Sequence, residues 1–128
     1  MRKILLLEAD KLLAQSLNSA LWAAGYKVSW HVDLQAAMDS ADKTAPNMVV
    51  LDLALATRSG MEFLYEFRSY PDWASVPIVI FSSLSEQELE NSMTGLGDLN
   101  ISSYLYKPAT SLKQLIQTVH RHASPQTA

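Results

Sequence analysis

Cysteine is absent, and with it go disulfides, thiolate zinc sites and thiol nucleophiles. That absence is compatible with a reducing cytoplasm, where this chain is expected to work as a soluble domain. Long apolar runs are missing too. Met1-Arg2-Lys3 followed by Ile4–Leu7 has the opening of a signal peptide, but the run stops at Glu8. It is too short for a secretory core, and no later stretch reaches membrane-spanning length. Charge is sparse as well. At 18% charged residues and a net charge of −3, no basic field exists to draw nucleic acid or an anionic membrane. Any DNA-binding role would have to come from another polypeptide. Internal repeats and low-complexity tracts are also lacking. What is present is globular composition, 48% hydrophobic over 128 residues, enough to bury the core of one domain.

Short apolar runs alternate with helical patterns along the whole chain. Ile4–Leu7, Met48–Leu51, Ile78–Phe81 and Tyr104–Tyr106 read as strands buried on both faces, as in a parallel sheet covered by helices. Val28–Val32 alternates more and reads as a strand nearer an edge. Leu13, Leu17, Leu21 and Ala24 form a helical stripe that stops at Gly25. Asp33 can cap a helix bearing Leu34, Ala37, Met38 and Ala41, and Ser59–Glu62 resembles a capping box before Leu64 and Phe67. Ser85–Glu88 is a further capping box, with Leu84 and Leu89 placed as a hydrophobic staple. Ser111–Gln114 opens the last helix, whose stripe is Leu112, Leu115, Ile116 and Val119. Strand then helix, five times over, implies right-handed crossovers and a doubly wound α/β sheet. The domain is expected over residues 1–122, with 123–128 a disordered tail or the start of a linker.

In open parallel sheets ligands bind beyond the carboxyl ends of the strands, near the point where strand order reverses. The residues that follow the apolar runs there are chemically distinctive. Glu8, Ala9 and Asp10 follow the first run, Asp52 ends the third, Ser82 and Ser83 end the fourth, and Lys107-Pro108 ends the fifth. Charged groups at the ends of buried runs cost stability unless paired, so their coincidence points to a site. The chemistry they suit is phosphoryl transfer to a carboxylate. Asp52 is the candidate nucleophile. Glu8 and Asp52 call for a hard divalent cation such as Mg²⁺ between them. Lys107 balances charge on the acyl phosphate, and Ser82 donates to a phosphoryl oxygen and moves inward on occupancy. Each of these residues alone has a plainer reading, as a capping acid, a loop hydroxyl or a surface lysine; their common register favours the site. His120 and His122 are two apart on a helix and do not share a face, so they and His31 read as surface or helix-end residues. Trp22 and Trp73 read as packing groups.

These residues are the ones that resemble bacterial response-regulator receiver domains, from Met1 to about His120. The resemblance is carried by ILLLEAD, MVVLD, Gly60 eight residues after Asp52, VPIVIFSS and YLYKP, in that order and spacing. It implies a flavodoxin-like five-stranded parallel sheet in the order 2-1-3-4-5 with five helices. It further implies that Asp52 is the phosphoacceptor, Ser82 the switch hydroxyl, Lys107 the phosphate-binding lysine and Tyr104 the aromatic switch, a residue that equally suits the core. The Lys107–Pro108 peptide is expected to be cis. Metal ligands would be Glu8, Asp52 and the backbone carbonyl of Ala54, with Asp10 a further candidate although the N-cap of the first helix suits it better. Partners would be a histidine kinase or phosphotransfer protein, and a downstream protein on the face made by helix 4, strand 5 and helix 5, with a homodimer as a further assembly.

Three departures from the family pattern matter. Ala9 stands where the family has the second of two adjacent acids, the direct metal ligand, so weak Mg²⁺ binding and slow phosphorylation are expected. Ala54 and Leu84 hold the two positions that tune phosphate loss, and neither can orient water, so a phosphorylated form should be long-lived. Gly95–Ser103 makes the approach to strand five about three residues longer than is usual in the family, by the spacing of its fragments, and Ala56 replaces a common proline. Two functions therefore stand side by side: a phosphorylation-dependent switch, and a pseudo-receiver acting as a phosphorylation-independent interaction module. Enzymatic readings fit poorly beyond self-phosphorylation from a phosphodonor. A flavin or nucleotide binder needs a glycine-rich loop after strand one, and an aspartyl phosphatase usually has a second acid where Ala54 stands.

Overall fold

The computed structural model describes residues 1–55, 60–88 and 99–123. Strands and helices alternate as β1 (Lys3–Leu7), α1 (Lys11–Ala23), β2 (Lys27–His31), α2 (Leu34–Lys43), β3 (Met48–Leu51), α3 (Gly60–Ser69), β4 (Ile78–Ser82), β5 (Ser103–Tyr106) and a C-terminal helix (Leu112–His122). Residues 86–88 are helical, and Leu89 of the expected staple lies outside the described residues. All strand pairs are parallel and the order is β2-β1-β3-β4-β5, the doubly wound flavodoxin-like arrangement expected.

The pleat explains why the central strands read as unbroken apolar runs. Leu5, Leu7, Val49, Leu51, Ile78 and Ile80 pack on one face with Leu34 and Met38 of α2 and Phe63 and Phe67 of α3. Ile4, Leu6, Met48, Val50, Val79 and Phe81 pack on the other with Leu17 and Leu21 of α1 and Leu115 and Val119 of the C-terminal helix. With both faces covered, every second residue is as buried as its neighbour. Strand β5 differs from expectation: none of its residues is fully buried, because it forms an edge of the sheet. Trp22 and Leu112, expected to pack, are exposed, while Trp73 is buried and stacks on Phe67 at 4.8 Å between ring centres.

Helix ends follow their sequence signals. Asp10 accepts from Leu13 N–H at 3.1 Å and Asp33 from Ala36 N–H at 3.0 Å, caps worth about 1 kcal/mol each. Gly25 takes φ +97°, and the N–H groups of Gly25 and Tyr26 donate to the carbonyls of Trp22 and Leu21, a Schellman stop for α1. Ser111 and Gln114 make a complete capping box. Ser85 Oγ accepts from Glu88 N–H at 3.1 Å. The Ser59 box before α3 lies outside the described residues. At the foot of the sheet, Arg68 donates to the carbonyls of Trp73, Ala74, Leu99 and Asn100, tying the end of α3 to the segment that leads into β5.

Candidate functional site

Parallel pairing brings the carboxyl ends of the strands to one edge, and register decides which residues meet there. Leu7 of β1 lies opposite Leu51 of β3, and Asp52 N–H donates to Leu7 O at 2.9 Å. The next residues, Glu8 and Asp52, therefore emerge side by side at the point where strand order reverses. Both are buried, Glu8 to 2% exposure and Asp52 to 4%. Ser82, fully buried, ends β4, and Lys107 follows β5 directly.

The lysine closes the site. Its Nζ donates to Glu8 Oε1 at 2.7 Å and to Asp52 Oδ2 at 2.5 Å, and it lies 5.6 Å from the centre of the Phe81 ring. Burial by itself would lower the Lys107 pKa, but hydrogen bonds to Asp52 and Glu8, with the attraction of both charges, outweigh it and leave the ammonium raised above its ordinary value. The remaining carboxylate oxygens are held by backbone: Asp10 N–H donates to Glu8 Oε2 at 3.0 Å, and Ala54 N–H to Asp52 Oδ1 at 2.9 Å. Among the described residues, two buried anions and one cation with every carboxylate oxygen hydrogen-bonded form a compensated cluster, the condition under which burying charge is tolerable.

Around it, Ser82 Oγ accepts from Leu84 N–H at 3.2 Å. Tyr104 is half-buried against the α2 and α3 side of the core, and its hydroxyl donates to Leu84 O at 2.6 Å. Desolvation raises the Tyr104 pKa, partly offset by the nearby Ser82 hydroxyl and reinforced by nearby acids, Glu86 and Asp52 among them. The ring thus serves core and loop at once.

Glycine at position 60 has a local cause. A Cβ there would lie 2.7 Å from Asp52 O and 2.7 Å from Leu53 Cα, so α3 can start against the Asp52 loop only without a side chain. Gly60 N–H donates to Leu53 O at 2.8 Å, fixing that loop. In the sequence Gly60 stands out only by its spacing from Asp52. Trp30, whose indole N–H donates to Glu8 O at 2.8 Å, is not legible there as part of the site; a tryptophan in an edge strand is its one signal. One expectation is overturned. No peptide bond among the described residues is cis, so Lys107–Pro108 is trans, and the chain there winds into a single 3₁₀ turn over Lys107–Ala109 closed by Thr110 N–H to Lys107 O.

A family model for the response regulator receiver domain matches residues 4–120. The chain belongs to that family. Among curated proteins, this receiver domain is similar to the KDP operon transcriptional regulatory protein KdpE of Escherichia coli, 30% identical over 108 residues, covering 84% of this chain and 45% of that protein. It spans about half the length of the curated relatives first matched. Among solved structures it resembles the chemotaxis protein CheY4 of Vibrio cholerae, with a TM-score of 0.84 at 22% identity, covering 95% of this chain and 98% of that one. The receiver domain of sensor histidine kinase PA1611 of Pseudomonas aeruginosa, described with magnesium coordinated in its active-site cleft, superposes with a TM-score of 0.82 at 22% identity, covering 95% and 97%. These likenesses carry the fold.

Receiver domains as a family bind Mg²⁺ in the cleft. The donor set here fits such an ion in part. Two buried carboxylates converge on a single cationic point, which suits a hard ion that takes one or two carboxylates and completes its shell with water and phosphate. Among the described residues no third acid or histidine joins them. Asp10 is engaged as the α1 cap, and Ala9 is exposed. The described residues include no helix long and apolar enough to cross a membrane.

Proposed function

We propose that this receiver domain accepts a phosphoryl group on Asp52 from the phosphohistidine of a histidine kinase or phosphotransfer protein. The observation that carries the reading is the bridging of Asp52 and Glu8 by the Lys107 ammonium, beside the buried Ser82 hydroxyl. An Asp52 oxygen attacks phosphorus as the donor's nitrogen–phosphorus bond breaks, the electron pair and a proton returning to the donor imidazole. Ala54 N–H holds the other Asp52 oxygen and so orients the nucleophile. Lys107 moves from carboxylate to phosphoryl oxygen without leaving the pocket, and Ser82 gives up its role as acceptor from Leu84 N–H to donate to the new group. That exchange frees the Leu84 loop, whose carbonyl also holds Tyr104. Serine, loop and tyrosine then form the link to a downstream partner on the face of the fourth helix, β5 and the C-terminal helix. Glu8, Asp52 and the Ala54 carbonyl would hold Mg²⁺, which when bound supplies neutralisation of phosphoryl charge.

The test is incubation with acetyl phosphate or beryllofluoride, with and without Mg²⁺, read by intact mass and amide NMR. A mass gain lost in Asp52→Asn, with shifts at Ser82 and Tyr104, is the expected result. No response at millimolar Mg²⁺ would assign the chain to the pseudo-receivers, for which Ala9 in place of a ligand acid is the favouring feature.

A further inference from the structure

Strand β2 is an edge of the sheet. Lys27 N–H donates to Arg2 O at 2.9 Å, and His31 O accepts from Glu8 N–H at 3.2 Å, so residues 27, 29 and 31 turn their backbone groups toward β1. Alternation along a parallel ladder then points the N–H and C=O groups of Val28 and Trp30 outward, where the sheet has no further strand among the described residues. The side chains of Lys27, Ser29 and His31 share the face of their register partners Lys3, Leu5 and Leu7, the face covered by α2.

Between this edge and α2 runs an open groove of about 700 Å³ whose lining includes Lys3, Lys27 and Lys43. Its floor is a hydroxyl network in which Ser29 Oγ meets His31 Nε2 at 2.7 Å and Ser40 Oγ at 2.9 Å. Lys3 Nζ donates only to neutral oxygens, Ser40 O and Oγ at 3.0 Å and Thr44 O at 2.8 Å. Among the described residues none of the three lysines is paired with a carboxylate. Asp39, the one acid among the described lining residues, accepts from Gln35. The crowding is felt electrostatically: burial, then the charge of Lys27, hold Lys3 below the ordinary lysine range. In a chain of net charge −3, unmatched cations gathered beside a free strand edge need a reason. A single lysine suffices to keep an edge from pairing with copies of itself; Lys3 and Lys43 lie off that edge. Pairing of β2 with a second copy would also set like charges together.

We propose that the β2 edge and its groove take an extended acidic peptide segment of a partner protein, added as a further strand. Its backbone pairs with Val28 and Trp30, while its alternate carboxylates meet Lys27 and Lys43, and Lys3, its hydrogens held by Ser40 and Thr44, adds its positive charge to the groove. The surface lies on the flank of the sheet opposite β5, so it can be occupied whatever the state of Asp52.

The probe is a short peptide alternating glutamate and valine, titrated into the ¹⁵N-labelled full chain, with a control in which proline replaces valine. The expected result is a set of saturable amide shifts at Val28, Trp30 and along α2, weakened by added salt. The Lys27→Glu/Lys43→Glu double variant, changed only at exposed positions, should bind at least about tenfold more weakly while keeping its own dispersed spectrum. The proposal fails if the proline control binds equally well, which would mean charge attraction without strand pairing. It fails equally if inorganic phosphate reproduces the shifts and the peptide does not, or if no shifts occur at millimolar peptide.

Discussion

Substituting Lys107 by methionine removes the only cation among the described residues that contacts two carboxylates 2% and 4% exposed, and keeps the length of the aliphatic stem. At an effective dielectric near 20, each contact at 2.5–2.7 Å is a gross attraction of about 6 kcal/mol, against which desolvation and the repulsion between the acids must be set. Breaking a buried pair by deleting one partner costs about 3–5 kcal/mol in practice. Because Lys107 retains 18% side-chain exposure, the lower end, about 3 kcal/mol, is the expected loss. For a domain of this size that is a fall in Tm of roughly 12 °C. Urea unfolding followed by circular dichroism would measure it. Two companions make the reasoning specific. Asp52→Asn in the Lys107→Met background should recover part of the loss, since it removes one unpaired charge. Millimolar Mg²⁺ should stabilise Lys107→Met more than the parent chain, since no ammonium competes for the same oxygens. A loss below about 1 kcal/mol, within the range of exposed pairs, would refute the account, because it would mean that water already solvates both acids.

Gly60→Ala drives a Cβ to 2.7 Å from backbone atoms of residues 52 and 53, so it should cost at least about 1–3 kcal/mol in denaturant melts and shift the Asp52 amide. Ala9→Asp should strengthen Mg²⁺ binding at least about tenfold; Trp30 fluorescence reports it, since its indole is bonded to Glu8 O, and unchanged affinity would count against the role given to position 9. Lys107 and Tyr104 both have pKa values raised above the ordinary 10.5 and 10.0. The unfolded chain releases these protons first, so their contribution is complete below pH 10 and is lost as pH rises through the folded values. Stability measured from pH 9 upward should fall earlier in the parent chain than in a Tyr104→Phe variant.

The central strands were legible because both faces are covered, so burial is written as an unbroken apolar run. The α2 stripe was legible because one face alone is buried: Leu34, Ala37, Met38 and Ala41 are the residues that pack. Strand β5 misled, since Tyr-Leu-Tyr has the composition of a buried strand and only its neighbours say that it is an edge. Trp22 misled for the same reason, an apolar residue one position off the α1 stripe. The Lys107–Pro108 expectation rested on family habit alone, and the structure runs trans into a 3₁₀ turn.

Sequence alone determined the fold class and that Glu8, Asp52, Ser82 and Lys107 end their strands at one edge, because local periodicity fixes the elements and parallel alternation sends every strand's carboxyl end to one side of the sheet. It could not determine that Lys107 joins Glu8 to Asp52, that Tyr104 bonds to the carbonyl of residue 84, or that three lysines from β1, β2 and α2 line one groove. Those depend on register and on the reach of side chains between segments distant in sequence. Such distances exist only once the sheet has closed.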